Sequence, residues 1–144
     1  MQIREMNFKE LETIYEVILQ QYAELSYKEF DDLAYDMRHM EYKMIGMLER
    51  GELMCYAGVA VQTNFYYKRH LFIFDLVADK KYRGRDYTNQ MLEYLETYAR
   101  TAMCANIVLS SNIESTDAQV FYEKNGFNKK SSIFFKNIEY GDNK

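Results

Sequence analysis

The sequence predicts an α/β fold, a mixed and mostly antiparallel central sheet flanked by helices on both faces. Three observations carry this. Segments with apolar residues at helical spacing alternate with short apolar runs rich in β-branched and aromatic residues. Two of those runs flank "ERGE", where Gly51 marks a tight hairpin turn. Two more, Leu71–Ala78 and Asn106–Ser111, are joined by a helical segment, and a right-handed crossover makes such strands parallel neighbours.

Taken in order, "QIRE" is a short first strand. Phe8, Leu11, Tyr15, Ile18, Leu19 and Tyr22 then define one amphipathic helix from about Asn7 to Tyr22. Phe30, Leu33, Ala34 and Met37 define a second, shorter helix. The hairpin "YKMIGMLERGELMCYAGVAVQT" follows, and "RHLFIFDLVA" is a third strand beside it. "KKYRGRDYTNQML" turns into a helix whose buried face carries Met91, Leu92, Leu95, Tyr98, Ala99 and Ala102. "ANIVLSS" reads as a buried strand. "STDAQVFYEKNGF" is a short helix, with Thr116 and Gln119 as a capping box and Gly126 at the left-handed terminating position. "SSIFFKNI" is expected to close the chain as a strand.

The chain has 144 residues, 48% of them hydrophobic, which suits one domain over residues 1–144. The formal net charge of -4 disfavours a nucleic-acid partner, since a duplex footprint needs a basic face. The N-terminus, "MQIREMNFKE", has no apolar signal region, and "LFIF" is far too short to span a bilayer, so a cytoplasmic protein without membrane contact is expected. Cys55 and Cys104 share no metal-ligand spacing and are expected as free thiols, with no metal.

Two segments carry a family likeness. "STDAQVFYEKNGF" supplies Ala118, Phe121, Tyr122, Glu123, Lys124, Gly126 and Phe127 at fixed spacing, and "DLVADKKYRGRDYTNQML" supplies a strand, a loop opening with Arg83, and a helix. Over nearly its whole length the chain resembles the GNAT superfamily of N-acetyltransferases. The resemblance implies a GNAT-like sheet with a splayed parallel strand pair and acetyl-CoA as co-substrate. It implies that the pyrophosphate sits on the amides of Arg83, Gly84, Arg85, Asp86, Tyr87 and Thr88. That placement agrees with the chemistry of the segment, because a helix N-terminus presents unpaired amides and partial positive charge, and Arg83 and Arg85 add two cations. In the family two small residues stand where this chain has Asp86 and Thr88, which weakens the match. Asp86 either folds over the turn and caps the helix, displacing an anion, or points outward, for instance to Arg85, and leaves the cradle usable. The Thr88 hydroxyl could donate to a phosphate or cap the helix.

The resemblance further implies that backbone groups of Leu76, Val77 and Ala78 pair with the pantetheine arm, with Asn112 offering its amide to it. The Val77 N–H is then the donor for the thioester carbonyl, and Tyr122 the acid that protonates the departing thiolate. Many relatives place a glutamate where this chain has Phe74. Asp75 is next to it, but strand alternation would put adjacent side chains on opposite faces, so Asp75 acts through a water or is structural. His70 and His39 stay open as bases. The expected acceptor is a small cationic amine or lysine-like group, because Glu24, Glu29, Asp31, Asp32 and Asp36 intersperse with Tyr22, Tyr27 and Tyr35 in the segment that walls the acceptor site in relatives. A non-catalytic CoA-binding module with a degenerate loop is the alternative, and a homodimer stays open.

Overall fold

The computed structural model describes residues 1–111 and 116–141. In chain order the elements are β1 (Gln2–Met6), α1 (Leu11–Ile18), α2 (Tyr27–Met37), β2 (Lys43–Glu49), β3 (Glu52–Asn64), β4 (Lys68–Ala78), α3 (Tyr87–Thr101), β5 (Asn106–Leu109) and α4 (Thr116–Lys124). The chain forms two compact units, Met1–Leu109 and Ser110–Lys144.

The first unit holds a five-stranded sheet in the order β1-β2-β3-β4-β5. Its first three pairings are antiparallel and the last is parallel. The β2–β3 turn is two residues long, Arg50 and Gly51, with φ of 54° and 80°. Positive φ at both positions is the type I′ pattern that matches strand twist, and glycine takes it without strain. The β4–β5 ladder runs from His70↔Asn106 to Ile73↔Leu109, whereas β4 continues to Ala78. Residues 75–78 therefore pair with β3 and, among the described residues, have no ladder partner on the β5 side, which is the expected splay.

Helices cover both faces. Leu11, Ile14, Val17 and Ile18 of α1 bury against Met44, Leu48, Leu53, Tyr56 and Val77. Met91, Leu92, Leu95 and Ala99 of α3 are buried on the other face, where Thr88 reaches Cys55. Cys55 and Tyr56 are neighbours on β3, so strand alternation sends one to each helix layer.

The first helix differs from its sequence reading. It begins as a 3₁₀ turn, Phe8–Glu10, and becomes α-helical only over Leu11–Ile18. Asn7 starts it: its side chain accepts the Lys9 N–H at 2.9 Å, and the Glu10 carboxylate accepts the Asn7 N–H at 3.0 Å. The remainder to Tyr22 is turns, tied by Tyr22 N–H to Ile18 C=O at 3.0 Å.

In the second unit, Gly126 (φ 89°) ends α4. Its N–H bonds Glu123 C=O at 3.1 Å, and Phe127 N–H bonds Tyr122 C=O at 3.0 Å. These two bonds make a Schellman motif, and the Phe127 and Tyr122 rings meet across it, 5.8 Å apart. Thr116 is the first residue of α4, and the residue before it lies outside the described residues. The closing strand is not formed. No strand is assigned over "SSIFFKNI", and apolar alternation alone does not make one: Phe134 is 94% exposed.

Candidate active site

The decisive local feature is a bulge in β4. Gly58 pairs with Asp75 and the next residue, Val59, pairs with Ile73, so Phe74 is an extra residue on β4. Simple alternation therefore fails here, and Phe74 and Asp75 do not face opposite ways as the strand pattern predicts. Both are met from the α1 face of the sheet. The Tyr42 ring lies 5.5 Å from the Phe74 ring, and the Tyr22 hydroxyl donates to Asp75 Oδ1 at 2.5 Å. Tyr22 and Tyr42 pack against the same core as Tyr56 and Val77.

Around Asp75 the chain assembles phenols. The Tyr42 and Tyr56 hydroxyls lie 2.7 Å apart. Tyr42 fits there because position 58 is glycine: a Cβ at Gly58 would overlap the Tyr42 hydroxyl. Burial pushes the Asp75 carboxyl above its ordinary range, and the Tyr22 hydrogen bond partly opposes this. Burial also raises Tyr22, Tyr42 and Tyr56, so all three stay neutral donors near neutral pH. The site is thus a half-buried carboxylate ringed by hydroxyls and aromatic faces, suited to holding or deprotonating a cationic group.

The second feature is the turn into α3. Gly84 has φ 88°, and a Cβ there would meet nothing within 4 Å, so its demand for glycine is conformational. The first bond of α3 runs from Gln90 N–H to Asp86 C=O at 3.1 Å, which leaves the amides of Tyr87, Thr88 and Asn89 without an intrahelical partner. Asp86 stands at the cap position but makes no side-chain cap bond; its Oδ1 accepts from Asn89 Nδ2 at 2.5 Å. It binds neither the helix amides nor Arg85. The Arg85 guanidinium lies over the Tyr82 ring, 5.7 Å from its centroid. Arg83 reaches back to Ala78 C=O at 3.4 Å. The Thr88 hydroxyl faces Cys55, whose thiol burial pushes up to about 12, so the Thr88 side chain turns inward. Lys81 is paired with Glu52 at 2.7 Å. An uncapped helix start beside Arg83 and Arg85 fits an anionic pyrophosphate, and the edge at Leu76, Val77 and Ala78, which has no β5 ladder partner among the described residues, fits an extended amide chain.

Tyr122 is half-buried in the second unit, stacked on Phe121 at 5.5 Å, and burial raises its phenol pKa. Asn112 lies outside the described residues. His70 is 2% exposed, with Nδ1 on Lys68 C=O at 2.9 Å, and His39 lies exposed in the turn after α2. In α2, Asp32 is paired with Lys28 at 2.9 Å, and Arg38 covers the Tyr35 ring at 3.7 Å. No cluster of three or more metal-ligating side chains occurs among the described residues. Sequence reasoning missed Tyr42, Tyr56 and Gly58. A usable signal was the lone Asp75 inside an apolar strand, which must find a hydrogen-bonding partner when it is buried.

Comparison with known proteins decides the family. The Acetyltransferase (GNAT) family profile matches residues 8–127. The chain belongs to the GNAT acetyltransferase family. It is 30% identical over 98 residues to the uncharacterized N-acetyltransferase YhdJ of Bacillus subtilis (strain 168), covering 67% of this chain and 69% of that one. A crystal structure of a Trypanosoma brucei acetyltransferase has a TM-score of 0.78 at 22% identity, over 95% of this chain and 99% of the other. The aminoglycoside N-acetyltransferase AAC(6')-Iy in complex with CoA has a TM-score of 0.82 at 14% identity, over 96% and 95%. These two establish the shared fold. For this GNAT protein, acetyl-CoA-dependent acetyl transfer in the family's general sense is the supported activity. No helix among the described residues is long and apolar enough to cross a membrane.

Proposed function

We propose that this GNAT protein transfers the acetyl group of acetyl-CoA to the primary amine of a small cationic acceptor, and that Asp75 receives the amine's proton. The observation that carries the reading is the bulge-placed Asp75 carboxylate, half-buried among Tyr22, Tyr42 and Phe74. An ammonium entering such a place meets an opposite charge and aromatic faces, which suits a cation better than a neutral or acidic amine. Arg83 and Arg85 and the amides up to Thr88 hold the pyrophosphate. Leu76, Val77 and Ala78 hold the pantetheine arm, with the Val77 N–H donating to the thioester oxygen.

The reaction balances as follows. The ammonium gives a proton to Asp75, directly or through one water. The neutral nitrogen bonds the thioester carbon, the C–S bond breaks, and the sulfur takes the proton of the Tyr122 hydroxyl; the second proton that nitrogen sheds as the amide forms returns to the phenolate through water, and Asp75 releases the first to solvent. Tyr122 has this role by resemblance, and its raised pKa keeps the proton in place beforehand. A glucosamine 6-phosphate N-acetyltransferase of Arabidopsis thaliana is 32% identical over 57 residues, 40% of this chain and 36% of that one, which makes amino sugars reasonable first acceptors.

The test is thiol release from acetyl-CoA over polyamines, amino sugars and lysine derivatives, with neutral and acidic amines as controls. Tyr122→Phe and Asp75→Asn should each lower turnover by about 10²–10⁴-fold with acetyl-CoA affinity retained. Preference for acidic amines, or unchanged kcat in both variants, would sink the reading.

A further inference from the structure

We propose that Tyr22 is a positioning residue for the acyl transfer: its hydroxyl fixes Asp75 Oδ1 and keeps that carboxylate charged and aimed for the incoming amine. This rests on the reading of Asp75 as the proton acceptor. Tyr22 lies just past α1 on a braced stretch of backbone. Its N–H bonds Ile18 C=O and its own carbonyl takes the Leu25 N–H, both at 3.0 Å. The neighbouring Gln20 Oε1 accepts the Lys80 N–H at 2.8 Å, which ties the same turn to the chain leading into the α3 cradle. Gln21 Nε2 donates to the Tyr22 oxygen at 3.4 Å.

The direction of these bonds follows from the groups involved. An ionised carboxylate only accepts, so the single phenol proton points to Asp75, and the phenol oxygen accepts from Gln21. The chain Gln21, Tyr22, Asp75 is a run of donors ending on the charge, in which each bond polarises the next. Among the described residues Asp75 Oδ2 has no hydrogen-bond partner, which leaves it for an amine or water. The titratable groups facing Asp75 are Tyr22 after α1, Tyr42 before β2 and Tyr56 on β3. The Tyr22 hydroxyl is the group that offsets its burial.

Removing the Tyr22 hydroxyl should therefore favour the neutral acid. The experiment follows the Asp75 carboxyl by ¹³C NMR titration in wild type and Tyr22→Phe, with Asp75→Asn assigning the resonance, alongside kcat/KM against pH with glucosamine and spermidine. The expected result is an Asp75 titration moved up by about one to two pH units, with the acid limb of kcat/KM moving equally and the high-pH plateau kept. Gln21→Ala should move both the same way by less, and it stands in if Tyr22→Phe folds poorly. A merely structural role would lower the rate at every pH without moving the limb. An unmoved Asp75 titration overturns the proposal. A moved titration with a fixed acid limb overturns the role in acyl transfer by removing Asp75 as the base, and the two failures are told apart by which measurement stays still.

Discussion

Asp75 sits at a bulge in β4, half-buried, its Oδ1 held by a tyrosine hydroxyl at 2.5 Å; Asp86 sits exposed at the start of α3, its Oδ1 held by an asparagine amide at 2.5 Å. The two hydrogen bonds are alike in length, yet burial raises the pKa of Asp75. What differs is the medium. A carboxylate shut away from water pays for desolvation and depends on the donors arranged around it, whereas one in solvent exerts a weak, screened field. In the sequence both are simply aspartates flanking the same loop. Only the fold separates the one that is half-buried on a tyrosine hydroxyl from the one that stands in solvent at a helix start.

The sharpest way to break this contrast is at Gly58, which touches the Asp75 pocket and nothing of the cradle. An added Cβ overlaps the Tyr42 hydroxyl and nearby ring atoms, so Tyr42 must leave its place over the sheet. Gly58→Ala should destabilise the protein by about 1–3 kcal/mol, as overpacking does in a filled core. Urea denaturation measures it. Acetyl-CoA affinity should hold within about twofold, since the loss is confined to the pocket. Full stability in the variant would mean that Tyr42 moves aside freely and does not shape the pocket.

What the sequence disclosed divides along the same line. The turn into α3 was readable because its signals are local: Gly84, Arg83 and Arg85 precede a helical pattern within one short stretch. The end of α4 was readable for the same reason, with Gly126 taking the left-handed conformation. The Asp75 pocket was not, because its members come from the end of α1, the approach to β2, and β3 and β4, and a single inserted residue at Phe74 decides which face they share. Strand periodicity assumes no bulge, so it gave the wrong side for one of two adjacent residues. The closing strand failed differently: alternation in "SSIFFKNI" names a strand former, but a strand exists only where a partner accepts its hydrogen bonds.

A smaller effect sharpens the contrast through stability. The folded-state pKa of Asp75 lies above its unfolded value, so the folded protein binds the proton more tightly. Its contribution is fully favourable below the unfolded pKa and is lost as pH rises through the folded one. Asparagine mimics the protonated acid and can still accept from Tyr22. Asp75→Asn should therefore melt higher than wild type at about pH 7, with the gap closing as pH falls through the folded pKa and absent once both forms are neutral. Thermal melts across that range check it. A variant less stable than wild type at neutral pH would mean that the charged form is held by more than the Tyr22 bond. On the proposed role of Asp75, the same substitution gains stability and loses turnover.

The smallest expected effect is at Asp86. Asp86→Asn keeps an acceptor for the Asn89 amide while removing the charge. Since the carboxylate is exposed and does not cap the helix, it opposes a bound pyrophosphate only through solvent. Two unit charges about 4 Å apart in water interact weakly, so acetyl-CoA should bind at most about fivefold tighter in the variant. The gain should shrink as salt rises. The helix loses one favourable charge at its N-terminus, so stability should fall slightly while affinity rises. Calorimetric titration at low and high salt reads both the size and the screening. Acetyl-pantetheine, which lacks the pyrophosphate, should bind wild type and variant alike. If it gains as much as acetyl-CoA, or if the gain survives high salt, the anion does not lie over the start of α3, and Asp86 is then as remote from the ligand as it is from the helix amides.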